Sequence, residues 1–460
     1  MGTQETPAFL TGVIEGFYGQ PWSEAERFEL FDRMSGLRLN TYLYAPKDDL
    51  KHRAAWRECY SSAEAGHLRK LIRSCDDRQI HFIYALSPGL DIRYARHEDL
   101  RFLQDRFTQM LSLGCRHFSL FFDDIPDRLD AEDIEQQGSL ASAQCHVTNR
   151  LFSWLRERQP GARFLFCPTA YCGRMRQAAL GGANYLPTLG RELSPGIDVF
   201  WTGPEIISRN ITVEHIQEIG AVLRRKPLIW DNLHANDYDG QRFFCGPYSG
   251  RPPELRAEAS GLLSNPNTEF PLNRVALHTL AAFVHCKGDW DPRASYLAAM
   301  QEWLPCFETT GQTVTLEDLI LFGDCYYLPY EEGPEARSLY CQARDLLSRP
   351  LSAWGDQAAT VRARAKGMKE FCFRLTELRD RSLFYSLWRR LWELREEMDL
   401  LERYIAQKAE HGQEAPTVQS DFHLPGTFRG GMVAKLQRLL PQQADGSFIP
   451  AAVAKSPVLE

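Results

Sequence analysis

Short apolar runs alternate with amphipathic stretches over the first ~290 residues. The runs fall at 9–15, 41–45, 80–86, 117–123, 163–168, 197–203, 227–231 and 262–265. A brief, continuously apolar run bounded by polar turns reads as a strand buried on both faces. Between the runs, apolar residues recur at helical spacing over 24–34, 63–74, 100–113, 140–158, 213–223 and 273–285. Ser23-x-x-Glu26 and Ser61-x-x-Glu64 both fit the capping box, in which side chains satisfy orphan amides at a helix start. The stretches after the fifth and seventh runs are poor helices, interrupted by Gly181, Gly182 and Pro187 and by Pro252 and Pro253. Eight strand–helix units in ~280 residues match the size of a TIM (β/α)8 barrel. A doubly wound open sheet would carry a Gly-x-Gly-x-x-Gly turn after its first strand. Here that turn reads Glu15-Gly-Phe-Tyr-Gly-Gln-Pro-Trp22, with the wrong spacing and aromatic side chains unsuited to phosphate.

After residue 290 the strand-like runs stop. Helical periodicity fills 338–347, 360–379 and 382–408. The last of these bears an apolar stripe of Leu383, Leu387, Leu391, Leu394, Met398 and Leu401. The expected organisation is an α/β barrel domain over 1–290 followed by an all-α helical bundle, or stalk, over 291–460. The stripe suits a bundle core, and a helix this long can also meet a partner helix from a second subunit. Trp388 and Trp392 lie four apart on one face and read as core. The Gly-, Pro- and Gln-rich segments 412–425 and 442–450 read as mobile loops.

Composition narrows the function classes. The 460 residues are 44% hydrophobic and 25% charged, which suits a globular chain. With 60 acidic against 53 basic residues, the net charge of −7 comes without a basic block. Neither nucleic acid nor an anionic membrane is an expected partner. No apolar run approaches the ~18 residues a spanning helix needs, and residues 1–9 carry no secretory pattern. Twelve cysteines without paired spacing read as reduced thiols, as expected of a cytoplasmic protein.

In a barrel the chemistry sits where the strands end. Those ends supply Gly16 and Tyr18, Lys47, Asp123 and Asp124, Tyr171, Trp230, Asn232 and Asp237, and Asn265. Aromatic faces beside carboxylates and amides suit a sugar, with its apolar C–H faces and belt of hydroxyls. Asp123-Asp124 follows Phe118-Ser-Leu-Phe-Phe122. Adjacent carboxylates push each other's pKa values apart, so one can donate a proton while the other stays ionised. The same dipeptide also occurs as a solvated turn that caps the next helix. A magnesium site of Asp123, Asp124 and Asp237 is the metal alternative, but no His-x-His or His-Glu-x-x-His motif supports metal chemistry, and no metal or cofactor is expected. Serine nucleophiles lack a Gly-x-Ser-x-Gly setting. Lys47 stands beside Asp48 and Asp49, which would keep it charged, so a hydrogen-bonding role is expected rather than a Schiff base.

Long motifs then carry a resemblance. Gly12-Val-Ile-Glu-Gly-Phe-Tyr-Gly19, Asn40-Thr-Tyr-Leu-Tyr-Ala-Pro-Lys-Asp-Asp49, Phe121-Phe-Asp-Asp-Ile125 and Ile229-Trp-Asp-Asn-Leu-His-Ala-Asn-Asp-Tyr-Asp239 resemble glycoside hydrolase family 84, the family of the protein O-GlcNAcases of animals and bacteria. The likeness continues through Val314-Thr-Leu-Glu-Asp318, Tyr327-Leu-Pro-Tyr330, Phe428-Arg-Gly-Gly431 and Gln437-Arg-Leu-Leu-Pro441. The resemblance implies a retaining exo-β-N-acetylglucosaminidase that releases O-linked GlcNAc from Ser or Thr of proteins. It implies substrate-assisted catalysis, in which the acetamido oxygen attacks the anomeric carbon and forms an oxazoline. Asp123 would orient the acetamido N–H, and Asp124 would be general acid and then base. Gly16, Lys47, Asp237 and Asn265 would meet the ring hydroxyls, Asn232 the acetamido group, and Cys167, Tyr171 and Trp230 would line the acetyl pocket. The resemblance also implies a homodimer through the stalk, with Trp392 bordering the partner's substrate cleft. Ala170 departs from the Glu of animal members, which puts the support of Tyr171 in question. Animal members also carry a long insert before the stalk and a further C-terminal domain. Here the joint at 286–291 is short and the chain ends soon after Pro441, as expected either of a compact form or of a truncated one. The alternatives are a hexosaminidase acting on free glycans such as hyaluronan or peptidoglycan fragments, and a non-catalytic sugar-binding protein.

Overall fold

The computed structural model describes residues 9–412, 417–419 and 430–451. The 1–8 stretch, most of the 412–425 segment and the first two residues of the 428–431 motif lie outside the described residues. The chain divides into two compact units. The first takes Met1–Asp237, Tyr248–Phe270 and Leu280–Asp291; the second takes Tyr238–Pro247, Pro271–Thr279 and Pro292–Glu460.

The first unit is built on a closed, all-parallel eight-stranded barrel in sequential order. Its strands are β1 (Leu10–Glu15), β2 (Thr41–Tyr44), β3 (His81–Leu86), β4 (His117–Phe121), β5 (Phe164–Cys167), β6 (Ile197–Trp201), β7 (Leu228–Asp231) and β8 (Gly261–Ser264). Each apolar run became a strand, and β1, β2, β5, β7 and β8 are buried at every position because side chains cover both faces of a parallel sheet. Helices follow in turn, among them Glu24–Gly36, Ser62–Asp77, His97–Ser112, Leu140–Arg158 and Val213–Leu223. Both capping boxes form, at Ser23 with Glu26 and at Ser61 with Glu64. The weak stretches yield only short helices, Gly173–Gln177, Tyr185–Glu192 and Leu255–Glu258. Leu10, Ile14, Leu43, Ile83, Phe121, Leu165, Phe200, Leu228 and Leu263 fill the barrel, and Cys167, Tyr171 and Trp230 join the same cluster.

The second unit is helical. Its main elements are Pro292–Trp303, Leu316–Cys325, Pro334–Leu347, Gly355–Arg374, Arg381–His411 and Gly431–Leu439. The stripe Leu383, Leu387, Leu391, Leu394, Met398 and Leu401 is buried, as its spacing predicts. The tryptophans are not core: Trp388 is 55% and Trp392 46% exposed, because they stand on the face opposite that stripe. The 442–450 segment is also more ordered than its composition suggests. It folds back through a bridge between Gln442 and Phe448, and Phe448 is buried. No helix among the described residues is long and apolar enough to cross a membrane, and all twelve cysteines are unpaired.

Candidate active site

Several carboxylates stand at the C-terminal rim of the barrel, and their partners separate structural groups from chemical ones. Glu15, fully buried at the end of β1, accepts Arg27 at 2.9 and 2.6 Å, the Trp22 amide at 3.1 Å and the Tyr42 hydroxyl. Asp231, at the end of β7, takes Arg251 at 2.7 Å on each oxygen and the Tyr248 hydroxyl at 2.6 Å, with no side-chain exposure on either partner of the ion pair. Asp49 accepts the hydroxyls of Tyr44 and Tyr60 at 2.8 and 2.6 Å. These three are held as framework. Asp123 and Asp124 are arranged differently.

Asp123 lies two residues beyond β4 and is buried. The Lys47 ammonium donates to its Oδ2 at 2.5 Å. The charge partner of Lys47 is therefore Asp123, not the neighbouring Asp48 and Asp49, because the loop after β2 turns the ammonium inward. It sits 5.8, 5.6 and 6.0 Å from the ring centres of Tyr18, Phe121 and Trp230, where aromatic faces favour a cation. Burial alone would raise the Asp123 carboxyl, but the Lys47 charge and hydrogen bond, with Arg53, outweigh it and hold the group below the usual carboxylate range. Its Oδ1 is a buried acceptor without a hydrogen-bond partner among the described residues. Beside the pair, burial and then the Lys47 charge push His52 down to about 4, so its ring is neutral at pH 7, and its Nδ1–H donates to the Ala85 carbonyl at 2.8 Å.

Asp124 faces solvent. Tyr18 donates to its Oδ2 at 3.0 Å and Tyr171 to its Oδ1 at 2.8 Å. Burial and then the Asp124 charge push both phenols up, so they remain donors. The backbone of Asp124 is left-handed, with φ of +51°. It caps no helix: the next one, Ala131–Gln137, starts at Asp130.

The remaining predicted positions of the first unit gather around this pair. Trp230 Nε1–H and the Asn265 amide both donate to Asn232 Oδ1, at 2.9 and 3.0 Å, while the Asn232 amide donates to the Ile206 carbonyl at 2.8 Å. Asn265 Oδ1 is a second buried acceptor without a partner among the described residues. Asp237 accepts the Tyr18 amide at 2.9 Å. Gly16 meets the indole of Trp230 so closely that a Cβ there would lie 2.8 Å from the ring. Cys167 is buried, and desolvation followed by the Asp123 charge raises its thiol, which makes it lining rather than nucleophile. Tyr171 is steadied through its main chain: its carbonyl accepts the Thr202 amide at 2.9 Å, a support that bypasses the small Ala170 side chain. No group of three or more His, Cys, Asp or Glu among the described residues could hold a metal ion. Trp392 belongs to the second unit. Two contributors carry no sequence signal of their own. Arg53 donates to the main-chain oxygens of Asp124 at 2.7 Å and Asp123 at 3.5 Å, and Ile206 acts through its carbonyl. Tyr18, read from the sequence as one of the aromatic faces at the strand ends, acts through its hydroxyl.

Comparison with known proteins bears on the family and the fold. The family model described as beta-N-acetylglucosaminidase matches residues 11–317. Protein O-GlcNAcase of Rattus norvegicus and that of Mus musculus are each 50% identical over 275 residues. That match covers 60% of this chain but spans only 30% of the length of those relatives. Among solved structures, a mutant of the Thermobaculum terrenum O-GlcNAc hydrolase superposes with a TM-score of 0.78 at 29% identity, over 88% of this chain and 86% of that one. CpGH84B shares the fold, with a TM-score of 0.72 at 23% identity over 86% of this chain and 68% of its own.

Proposed function

The chain belongs to the beta-N-acetylglucosaminidase family, and from that premise we propose that it is a retaining exo-β-N-acetylglucosaminidase removing O-linked GlcNAc from serine and threonine of proteins. In this reading the acetamido oxygen of the substrate attacks the anomeric carbon as the glycosidic C–O bond breaks. Asp123 accepts the acetamido N–H on Oδ1 and polarises it. Asp124 gives its proton to the departing oxygen. Water then opens the oxazoline, and Asp124 takes the proton back. The substrate's own group replaces the carboxylate nucleophile of the two-carboxylate retaining scheme.

The observation that carries this reading is the unlike setting of two adjacent carboxylates. Asp123 is buried, ion-paired through one oxygen and left with the other as an acceptor. Asp124 is exposed, where it can exchange a proton with leaving group and water. Gly16, Lys47, Cys167, Tyr171, Trp230, Asn232, Asp237 and Asn265 would surround the sugar. We extend the proposal to assembly as a homodimer through the helical unit, with Trp392 contacting the peptide in the site of a second copy. The unpaired cysteines suit a cytoplasmic setting. The test is turnover of an O-GlcNAc-modified protein beside chitobiose, with the anomer first released followed by NMR. Preferred turnover of the glycoprotein with β-GlcNAc as first product is expected. Turnover of chitobiose alone would favour a hexosaminidase of free glycans, and binding without turnover a sugar-binding protein.

A further inference from the structure

Asp124 holds a left-handed backbone that disfavours a residue with a Cβ, and the direction of its carboxyl follows from that conformation. One side chain grips this turn from outside. Arg53, itself buried, donates from NH2 to the Asp124 carbonyl at 2.7 Å and from NH1 to the Asp123 carbonyl at 3.5 Å. The planar guanidinium can reach two successive carbonyls, which an ammonium cannot do with the same geometry.

The segment that delivers Arg53 is firmly tied. The Asp49 amide donates to Pro46 O at 3.0 Å and the His52 amide to Asp49 O at 2.9 Å. The Asp49 carboxylate accepts two tyrosine hydroxyls and the Lys51 amide. The His52 ring and carbonyl are bonded to Ala85 and Ser87 on the neighbouring strand and its loop. The same segment carries Lys47, six residues earlier. Its two cations divide their work: Lys47 holds the carboxylate of Asp123, and Arg53 holds the main chain of Asp124.

We propose that Arg53 is a positioning residue that keeps Asp124 in its left-handed conformation and so aims the Asp124 carboxyl at the leaving group. The inference rests on the reading of Asp124 as the proton donor. Arg53→Met and Arg53→Lys are to be compared on β-N-acetylglucosaminides graded from activated phenols to alkyl alcohols, with thermal unfolding followed in parallel. For Arg53→Met, kcat on an alkyl leaving group is expected to fall about 10²-fold, the scale of a displaced catalytic group, with KM little changed. An activated phenol needs no proton and should lose far less. Arg53→Lys should recover part of the loss, since one hydrogen bond to the Asp124 carbonyl survives. Affinity for a thiazoline mimic of the oxazoline should fall much less than kcat on the alkyl leaving group, because Lys47, which acts on Asp123 more strongly than Arg53 does, remains. An equal loss on every leaving group, or no loss in a folded variant, would overturn the proposal. Should Arg53→Met fail to fold, the same graded comparison on Arg53→Lys decides it. Asp124→Asn serves as the reference: without leaving-group dependence there, the acid reading itself fails, whereas its absence only in the Arg53 variants sinks Arg53 alone.

Discussion

Adjacent carboxylates repel each other, and the neighbours of Asp123 and Asp124 decide how each carries its charge. Asp124→Asn keeps the shape and removes the proton, so activity on a serine glycoside should drop by ~10²–10⁴-fold, the usual worth of general acid catalysis. An activated aryl glycoside should be nearly spared. Asp123→Asn should lose activity on both, and also lose tight thiazoline binding, because the anion facing the bound N–H is gone. Steady-state kinetics across both substrate types separates the two roles. The pH dependence has a defined sign. Burial opposes ionisation of Asp123, but Lys47 and Arg53 prevail and hold its pKa below the ordinary value. A carboxylate lowered on folding contributes stability above its unfolded pKa of ~3.9, and that contribution is lost as pH falls through the lowered folded value. Removing the nearest cation, in Lys47→Met, should therefore move the acid limit of thiazoline binding to higher pH, as a titration of affinity would register. Gly16 allows a separate check. A methyl there would meet both the Trp230 ring and Ile14 at 2.8 Å, so Gly16→Ala should lower kcat/KM on aryl and peptide substrates alike.

Elements were the most legible level. All eight apolar runs became strands, and two capping motifs formed where Ser and Glu were spaced three apart. The helices overlooked in the sequence are instructive. Pro292–Trp303 buries Tyr296, Ala299, Met300 and Trp303, a stripe diluted by alanine and tyrosine. Leu316–Cys325 contains Leu319-Ile-Leu-Phe322, an apolar run that periodicity alone cannot tell from a strand. Within the site, strand ends and long motifs pointed to the two aspartates and their surrounding residues. The grip of Arg53 on Asp124 spans 71 positions of sequence and uses a main-chain acceptor, so no residue pattern records it. The hydroxyl of Tyr18 is similar, since it reaches Asp124 across 106 positions. The Asp231–Arg251 pair closes β7 beside Trp230 and Asn232 with no exposure on either side chain. Arg251→Met would strand a buried carboxylate, a change that typically costs about 3–5 kcal/mol. A lower urea midpoint with an unchanged slope is the expected result.

At the scale of the whole molecule, the long helix Arg381–His411 presents two unlike faces. Its leucine stripe is spent within the helical unit, whereas Tyr385, Trp388 and Trp392 are 65%, 55% and 46% exposed at spacings of three and four. Such spacing places the three rings side by side on one face, and contiguous apolar surface of this kind is uncommon on a monomer unless it meets something. The Arg395 guanidinium lies 4.5 Å from the Trp392 ring, leaving one aromatic face lined by a cation, which suits a polypeptide backbone with its carbonyl oxygens. A small aryl glycoside ends at the sugar pocket and cannot reach such a surface, but a glycopeptide continues beyond it. If a second copy brings this helix to the site, Trp392→Ala should raise KM for glycopeptides several-fold while leaving kcat and aryl glycoside kinetics near those of the parent, since truncating an aromatic contact typically costs ~1–2 kcal/mol. Light scattering should report a dimer at micromolar concentration. A monomer there, with glycopeptide turnover indifferent to Trp392, would remove the second copy from the proposed function and leave the barrel chemistry of Asp123 and Asp124 unaffected, because Lys47, Arg53, Tyr18 and Tyr171, which set those two carboxylates apart, all belong to the first unit.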